Sequence, residues 1–390
     1  MFLSPTDLHS LTAIRQELHR YPEVSGEEQE TARRIVEALR PLAPDRILTG
    51  LGGHGVAAVF SGAAPGPTLL FRSELDALPI MEKTGLTYSS TIPGKGHLCG
   101  HDGHSTILLA LALGLSRQPP ATGRVVLLFQ PAEENGAGAA AVLADPRFAE
   151  IAPDLAFSLH NLPGIPLGHA ALKAGPVNCA SRGLKITLTG KTAHASQPET
   201  GLSPMQAISS LMPALTALSH SAPPATDFRL ATVTHATIGE PAFGIAPGDG
   251  EIWVTLRTLT DEGMDALCSQ AEALAQSTAA QHSLGLTLTY HDIFLHCENA
   301  PEAVTALATA LDAEGITHDV RALPMRASED FGRFRTTSPA AMFFLGAGET
   351  HPALHNPDYD FPDALIEVGA RVFMRVVRGR LGGKEATRLE

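Results

Sequence analysis

Between Gly96 and His104 the chain sets one thiol, three imidazoles and a carboxylate, those of Cys99, His97, His101, His104 and Asp102, among three glycines. A thiolate and a neutral imidazole both suit a borderline-soft divalent ion. In an extended segment residues two apart project to the same side, so Cys99 and His101 can grip one ion together. The bland alternative is a surface loop with a polar cluster capping a helix. Further on, Glu133 and Glu134 are adjacent and cannot point the same way from a strand end; one can bind metal while the other faces a reacting water. They suit equally a helix N-terminus leading into the alanine-rich run that follows, where acidic groups favour the macrodipole. Taken singly, His160 and His355 are ordinary polar residues at strand or loop ends. Together with Cys99, His101 and one glutamate they make one thiolate, three imidazoles and one carboxylate. Two tetrahedral ions sharing a bridge need about that many protein groups, with a position left for water. The chemistry of such a set is hydrolysis.

The elements that must position these groups follow from periodicity. Leu8, Leu11, Ile14 and Leu18 fall at helical spacing, ended by Pro22. Ser25-Gly26-Glu27-Glu28 has the form of a capping box for a second helix carrying Ile35, Val36 and Leu39. Apolar runs at 56–60 and 68–72, bounded by glycine and proline, predict strands of a buried sheet, and the second leads into Glu74 and Asp76. A helix over 107–115, a strand at 125–129 ending on Pro131-Ala132-Glu133-Glu134, and a strand at 155–159 ending on His160 complete the pattern. Alternating strands and helices predict a mixed or parallel α/β sheet, whose ligands bind beyond the strand carboxyl ends. From 184 the order becomes β-α-β-β-α-β, with strands at 184–189, 228–238, 251–259 and 285–290 and helices at 204–218 and 263–280. That is the ferredoxin-like arrangement of a small α+β domain, inserted into the first. The alternation resumes with a strand at 341–345, the loop carrying His355, and a helix over 363–377. The expected division is a catalytic domain of residues 1–180 and 294–390 interrupted by an inserted domain of 181–293.

Composition narrows the function classes. A chain of 390 residues exceeds what one core usually organises, which agrees with two domains. A formal net charge of -13, with no prominent Lys/Arg cluster, argues against a nucleic-acid or anionic-membrane partner and for a small-molecule substrate. The four cysteines, at 99, 179, 268 and 297, lack the density of a secreted disulfide scaffold and predict a reducing compartment. The first residues show neither a basic segment nor an apolar core, and the longest apolar run is too short for a bilayer, so a soluble, cytoplasmic protein is expected.

The segments Phe71-Arg72-Ser73-Glu74-Leu75-Asp76-Ala77-Leu78-Pro79, Cys99-Gly100-His101-Asp102-Gly103-His104, Phe129-Gln130-Pro131-Ala132-Glu133-Glu134, Gly190-Lys191-Thr192-Ala193-His194-Ala195, Glu329-Asp330-Phe331 and His355-Asn356-Pro357 occur in one order. Nearly the whole chain thereby resembles the hippurate hydrolase and auxin-conjugate amidohydrolase branch of the dinuclear-metal aminoacylase/carboxypeptidase family. The resemblance implies a dinuclear site in the larger domain and a smaller lid domain through which the protein forms a homodimer or a higher homo-oligomer. By that similarity Cys99 bridges two divalent ions, with His101 and His160 on one and Glu134 and His355 on the other. Glu133 is then the general base, and His194 of the lid stabilises the oxyanion and contacts substrate. The thiolate favours zinc, while the family also uses manganese and cobalt. The implied substrate is an N-acyl amino acid, cleaved to a carboxylic acid and an amino acid. Arg257, on a lid strand, has the planar fork to hold a substrate carboxylate, and Asp76 and Asp102 are placed to orient ligand imidazoles.

Several positions depart from that pattern. Glu74 stands where aspartate is usual, Asn135 where glycine is usual, Gly244 where asparagine is frequent, and Arg326-Ala327-Ser328 where glycines are common. None is an expected ligand, so they bear on substrate choice rather than on hydrolysis. Two rival readings stay open at this stage: a dipeptidase or carboxypeptidase of the same fold, and a metal-holding binding protein without turnover.

Overall fold

Ser4 begins the first helix with a reciprocal cap: its hydroxyl accepts the Asp7 N–H at 3.2 Å while the Asp7 carboxylate accepts the Ser4 N–H at 2.7 Å. This helix, α1 (Pro5–Arg20), was found in a computed structural model that describes residues 2–223 and 225–383. The second helix, α2 (Gln29–Leu39), starts at Glu28 without any side-chain cap. The capping box expected at Ser25 to Glu28 is therefore corrected. The Ser25 hydroxyl donates to Asp76 and the Glu28 carboxylate accepts from Gly26 and Ala132, because both side chains are drawn into the protein rather than onto α2.

The chain divides into two units. The first comprises the described residues up to Gly175, Glu298–Leu323 and those from Asp330 on; the second comprises Pro176–Cys297 and Pro324–Glu329. The assignment of Pro324–Glu329 to the second unit has no counterpart in the expected boundaries.

The first unit is built on strands β1 (Arg46–Leu51), β2 (Gly55–Ser61), β3 (Ala64–Glu74), β4 (Thr122–Gln130), β5 (Leu155–Pro163) and β6 (Ala170–Ala171). After the inserted unit come β13 (His318–Asp319) and β14 (Ala340–Gly348), and the sheet order is β1-β2-β4-β3-β5-β14-β6-β13. The central strands β4, β3, β5 and β14 run parallel, whereas β1 and β2 are antiparallel additions at one edge. Helices α3 (His101–Arg117), α4 (Gly138–Ala144), α7 (Pro301–Glu314) and α8 (Ala364–Leu381) complete the unit. The core joins β-strand residues such as Phe71, Phe129, Phe157 and Phe343 to Ile107, Leu108 and Leu111 of α3 and to Phe373 of α8. Each such fully buried side chain contributes about 1.5–3 kcal/mol over its exposed state. Both faces of the parallel strands are covered, which explains their continuous apolar runs.

The second unit holds β7 (Ala180–Thr189), β8 (Ala193–His194), α5 (Met205–Thr216), β9 (Arg229–Ile238), β10 (Ile245–Ala246), β11 (Asp249–Thr258), α6 (Asp261–Gln281) and β12 (Gly285–Phe294). Its four-stranded sheet has the order β9-β11-β7-β12, all pairs antiparallel, as a β-α-β-β-α-β chain gives. Leu184, Ile186, Ile252 and Val254 alternate onto the face covered by Ile208 and Leu211 of α5 and Leu267 and Ala271 of α6. Among the described residues no helix is long and apolar enough to cross a membrane, and all four cysteines are free and buried.

Candidate metal centre and catalytic residues

The segments that follow β3, β4 and β14, together with His160 near the carboxyl end of β5 itself, bring the sequence-marked groups of the first unit together. Cys99 lies just before α3, and Gly100 between it and His101 takes a left-handed φ of 92°. A Cβ there would fall 2.3 Å from Nδ2 of Asn161, so only glycine lets the thiol and His101 turn onto one side. Asn161 in turn donates to the Cys99 carbonyl at 2.7 Å and accepts from the Tyr359 hydroxyl, which fixes the loop from the end of β5.

Two of the three imidazoles, those of His101 and His160, are held from behind by a backbone carbonyl. Nδ1 of His101 donates to the Asp76 carbonyl at 2.8 Å, and Nδ1 of His160 to the Asn161 carbonyl at 2.7 Å. In the neutral form of each ring Nε2 is thus left as the acceptor, the arrangement that suits metal ligation. Nε2 of His160 lies 3.4 Å from Sγ of Cys99, and Nε2 of His101 is buried with no hydrogen-bond partner. His355, at a left-handed φ of 66°, places its Nε2 3.6 Å from Oε2 of Glu134. Two groups of three donors share the Cys99 thiol: Cys99, His101 and His160, and Cys99, Glu134 and His355, with the atoms of each group within 4.8 Å of one another. Glu133 and Glu134 approach His101 Nε2 at 3.9 and 3.8 Å. They sit in a turn five and four residues before α4 begins at Gly138, so they do not belong to that helix's first turn.

The electrostatics fit divalent cations. Burial, then the charges of Glu134, Glu133 and Glu74, pushes the Cys99 thiol well above its usual range. Burial lowers His101, but the Asp76 hydrogen bond and the charges of Glu74 and Glu134 outweigh it and push it up to about 10. Burial followed by the charge of His104 holds His160 well below its usual value, and burial followed by His101 lowers His355. A buried set of carboxylates around a thiol and ring nitrogens carries a negative field that cations balance, and the donor types and number suit two ions sharing the sulfur.

Behind the donors lies a second layer of buried charge. Oδ2 of Asp76 accepts the Glu134 N–H at 2.9 Å and the Ser25 hydroxyl at 2.8 Å, so Asp76 serves both His101 and the glutamate pair. Asp102 points elsewhere than expected: its Oδ2 accepts from Nδ1 of His19 at 2.9 Å and from Arg15 at 3.2 Å, and it orients no imidazole of the two donor groups. The reason is that Asp102 lies on the flank of α3 that faces α1, where Arg15 and His19 are four residues apart on one face. Glu74 pairs with Arg72 and accepts from Nδ1 of His104 at 2.7 Å. Arg72 also reaches Asp330, which Gln130 holds as well. Arg15, His19, Ser25, Glu28, Glu74, His104 and Asn161 were not singled out as site residues by pattern. One signal was present for Arg15: it stands four residues after Leu11 and three before Leu18, so a cation occupies the apolar stripe.

The second unit carries His194 and Arg257. His194 is exposed at the end of β8, and its Nδ1 accepts the Ser196 N–H at 3.2 Å, which favours the proton on Nε2. Arg257 on β11 donates to the Arg326 carbonyl at 3.0 Å and the Ser328 hydroxyl at 2.8 Å and has no carboxylate partner among the described residues. Burial lowers it, as for a guanidinium short of counter-charge.

Comparison with known proteins agrees with this arrangement. The model of peptidase family M20/M25/M40 matches residues 70–379. An N-acetyl-L-cysteine deacetylase of Bacillus subtilis is 34% identical over 363 residues, covering 91% of this chain and 84% of that protein. An N-acetyldiaminopimelate deacetylase of Bacillus velezensis is 32% identical over 371 residues, covering 94% of this chain and 98% of that protein. Among solved structures, the Bacillus subtilis YXEP protein, described as a dinuclear metal binding peptidase, superposes with a TM-score of 0.80 at 25% identity, over 97% of this chain and 99% of that one. Family model, curated relatives and fold converge, and the chain belongs to peptidase family M20/M25/M40.

Proposed function

We propose that this hydrolase cleaves the amide bond of N-acyl amino acids, releasing a carboxylic acid and an amino acid. Membership of the family makes it a metal-dependent enzyme acting on amides. The observation that carries the finer reading is the pair of donor triads meeting at Cys99 with Glu133 beside them. Cys99, His101 and His160 would hold one ion and Cys99, Glu134 and His355 the other, zinc being favoured by the thiolate. Such ions polarise the scissile carbonyl and acidify water. Glu133 takes the proton of the water whose oxygen attacks the carbonyl carbon, and delivers it to the nitrogen as the C–N bond breaks. His194 offers its Nε2 proton to the developing oxyanion, and the guanidinium of Arg257, which has no carboxylate partner among the described residues, receives the substrate carboxylate. The second unit joins two copies in a homodimer.

The relatives' names point to acetyl groups on the amino acid, a smaller acyl portion than the aryl groups that hippurate-like and auxin-like substrates carry. A panel of N-acetyl, N-benzoyl and N-indolylacetyl amino acids and free dipeptides, assayed with the zinc- or manganese-loaded enzyme, tests this reading. Turnover of N-acyl amino acids above dipeptides is expected; preference for substrates with a free amine would make it a dipeptidase. Light scattering checks the dimer.

A further inference from the structure

Ala132 is a non-glycine residue with a left-handed φ of 50°, placed between the end of β4 and the glutamate pair. Backbone of that kind persists where its surroundings over-determine it. Two bonds do so here: the Ala132 N–H donates to the Glu28 carboxylate at 2.8 Å, and the Ala132 carbonyl accepts from Gly138 at 2.9 Å. Glu28 is fully buried, and the same carboxylate oxygen accepts the Gly26 N–H at 2.9 Å. No cation pairs with Glu28 among the described residues, and its other oxygen is buried without a hydrogen-bond partner. Three residues earlier, the Ser25 hydroxyl holds Oδ2 of Asp76, and that oxygen accepts the Glu134 N–H. A single loop, from Ser25 to Glu28, therefore fixes the peptide N–H on each side of Glu133, one directly and one through Asp76.

A carboxylate buried with only amide donors is an expensive way to cap a turn, since desolvation penalises its charged form. A folding role alone would be met by a shorter neutral acceptor. The geometry points to Glu28 and Ser25 as positioning residues of the metal centre: Glu28 sets the direction of Glu133 as proton acceptor, and Ser25 secures Asp76 and hence Glu134 and His101 as ligands. This rests on the reading of Glu133 as the proton acceptor. Small angular errors at such a group are costly, because misplacement of about 1 Å lowers rate by roughly 10²-fold.

The test compares Glu28→Ala, Glu28→Gln and Ser25→Ala with the parent. Thermal unfolding and calorimetric zinc titration are measured on the metal-free full chain, and kcat and KM on whichever amide the parent cleaves, at a temperature where every variant is fully folded. Glu28→Ala is expected to lower kcat by about 10- to 10²-fold with KM and zinc affinity within about threefold of the parent. Glu28→Gln keeps an acceptor oxygen on Ala132 and should recover most of that loss. Ser25→Ala should weaken zinc binding by about three- to tenfold, a readout independent of turnover. Unchanged kcat in Glu28→Ala, or a loss not relieved in Glu28→Gln, overturns the positioning of Glu133; unchanged zinc affinity in Ser25→Ala overturns the Asp76 link. A parent that cleaves dipeptides but no N-acyl amino acid refutes the substrate reading and leaves this comparison intact.

Discussion

Sγ of Cys99 and Nε2 of His160 lie 3.4 Å apart across 61 residues of chain, and the same sulfur lies within 4.8 Å of donor atoms of Glu134 and His355. One thiolate serving both donor groups should make Cys99 the least replaceable of the four cysteines. Cys99→Ser is expected to lose at least one of two metal equivalents per chain on dialysis, measured by elemental analysis. Cys179→Ser and Cys268→Ser, whose thiols lie in the second unit away from any imidazole–carboxylate group, should keep both. Equal retention in all three variants would refute the bridging role.

The two glutamates differ in what surrounds them, and so should their variants. Glu133→Gln preserves shape but removes the proposed proton acceptor. Its kcat should fall by about 10²–10⁴-fold with metal content unchanged. Glu134→Gln replaces the proposed anionic ligand, 3.6 Å from His355, with a neutral group, so one ion should bind weakly and added metal should restore part of the activity. A metal titration of activity in both variants separates them. Rescue of Glu133→Gln with none of Glu134→Gln would reverse the two roles.

Gly100 and Gly164 share a φ of 92°, but a Cβ on Gly100 would meet Asn161 while one on Gly164 would have nothing within 4 Å. Gly164→Ala therefore reports backbone strain alone, on the order of 1–2 kcal/mol. Gly100→Ala adds displacement of Asn161 from the Cys99 carbonyl. It should unfold at lower denaturant than Gly164→Ala and bind zinc more weakly, as chemical denaturation and calorimetry can check. Equal stability and metal affinity in the two variants would remove Asn161 from the account.

His19 lies fully buried between Asp102 and Glu82, with Arg15, Asp360, Tyr88 and His97 also around it. Burial lowers its pKa, but the hydrogen bond to Asp102 and the Glu82 carboxylate 3.4 Å from Nε2 outweigh that and raise it to about 9. In the unfolded chain it titrates near 6.5. The folded state thus holds its proton longer, so the stability it confers is complete below about pH 6.5 and is lost as pH rises through 9. The denaturation midpoint of the metal-free protein should fall between pH 6.5 and 9, and His19→Gln should flatten that slope while lowering stability at pH 6. A slope unaltered by the substitution would show that other groups set it.

Local pattern carried much of this protein. Period-3.6 stripes marked α1 through Leu11 and Leu18, strand-like runs at 184–189 and 251–259 marked β7 and β11 of the second unit, and the β-α-β-β-α-β order announced its topology, because hydrophobic period and chain order are local properties. The donor types at Cys99, His101, Glu134, His160 and His355 were likewise legible, since residue chemistry is written in the chain itself. Packing alone decided the partners of the buried polar groups. Ser25 to Glu28 has the letters of a helix cap, yet its side chains reach Asp76 and Ala132, respectively 51 and 104 residues away. Asp102 adjoins His101 in sequence, yet turns to Arg15 and His19 because α1 covers that flank of α3. A buried polar atom must take whatever donor or acceptor the fold brings within reach, and no window of sequence contains that neighbour.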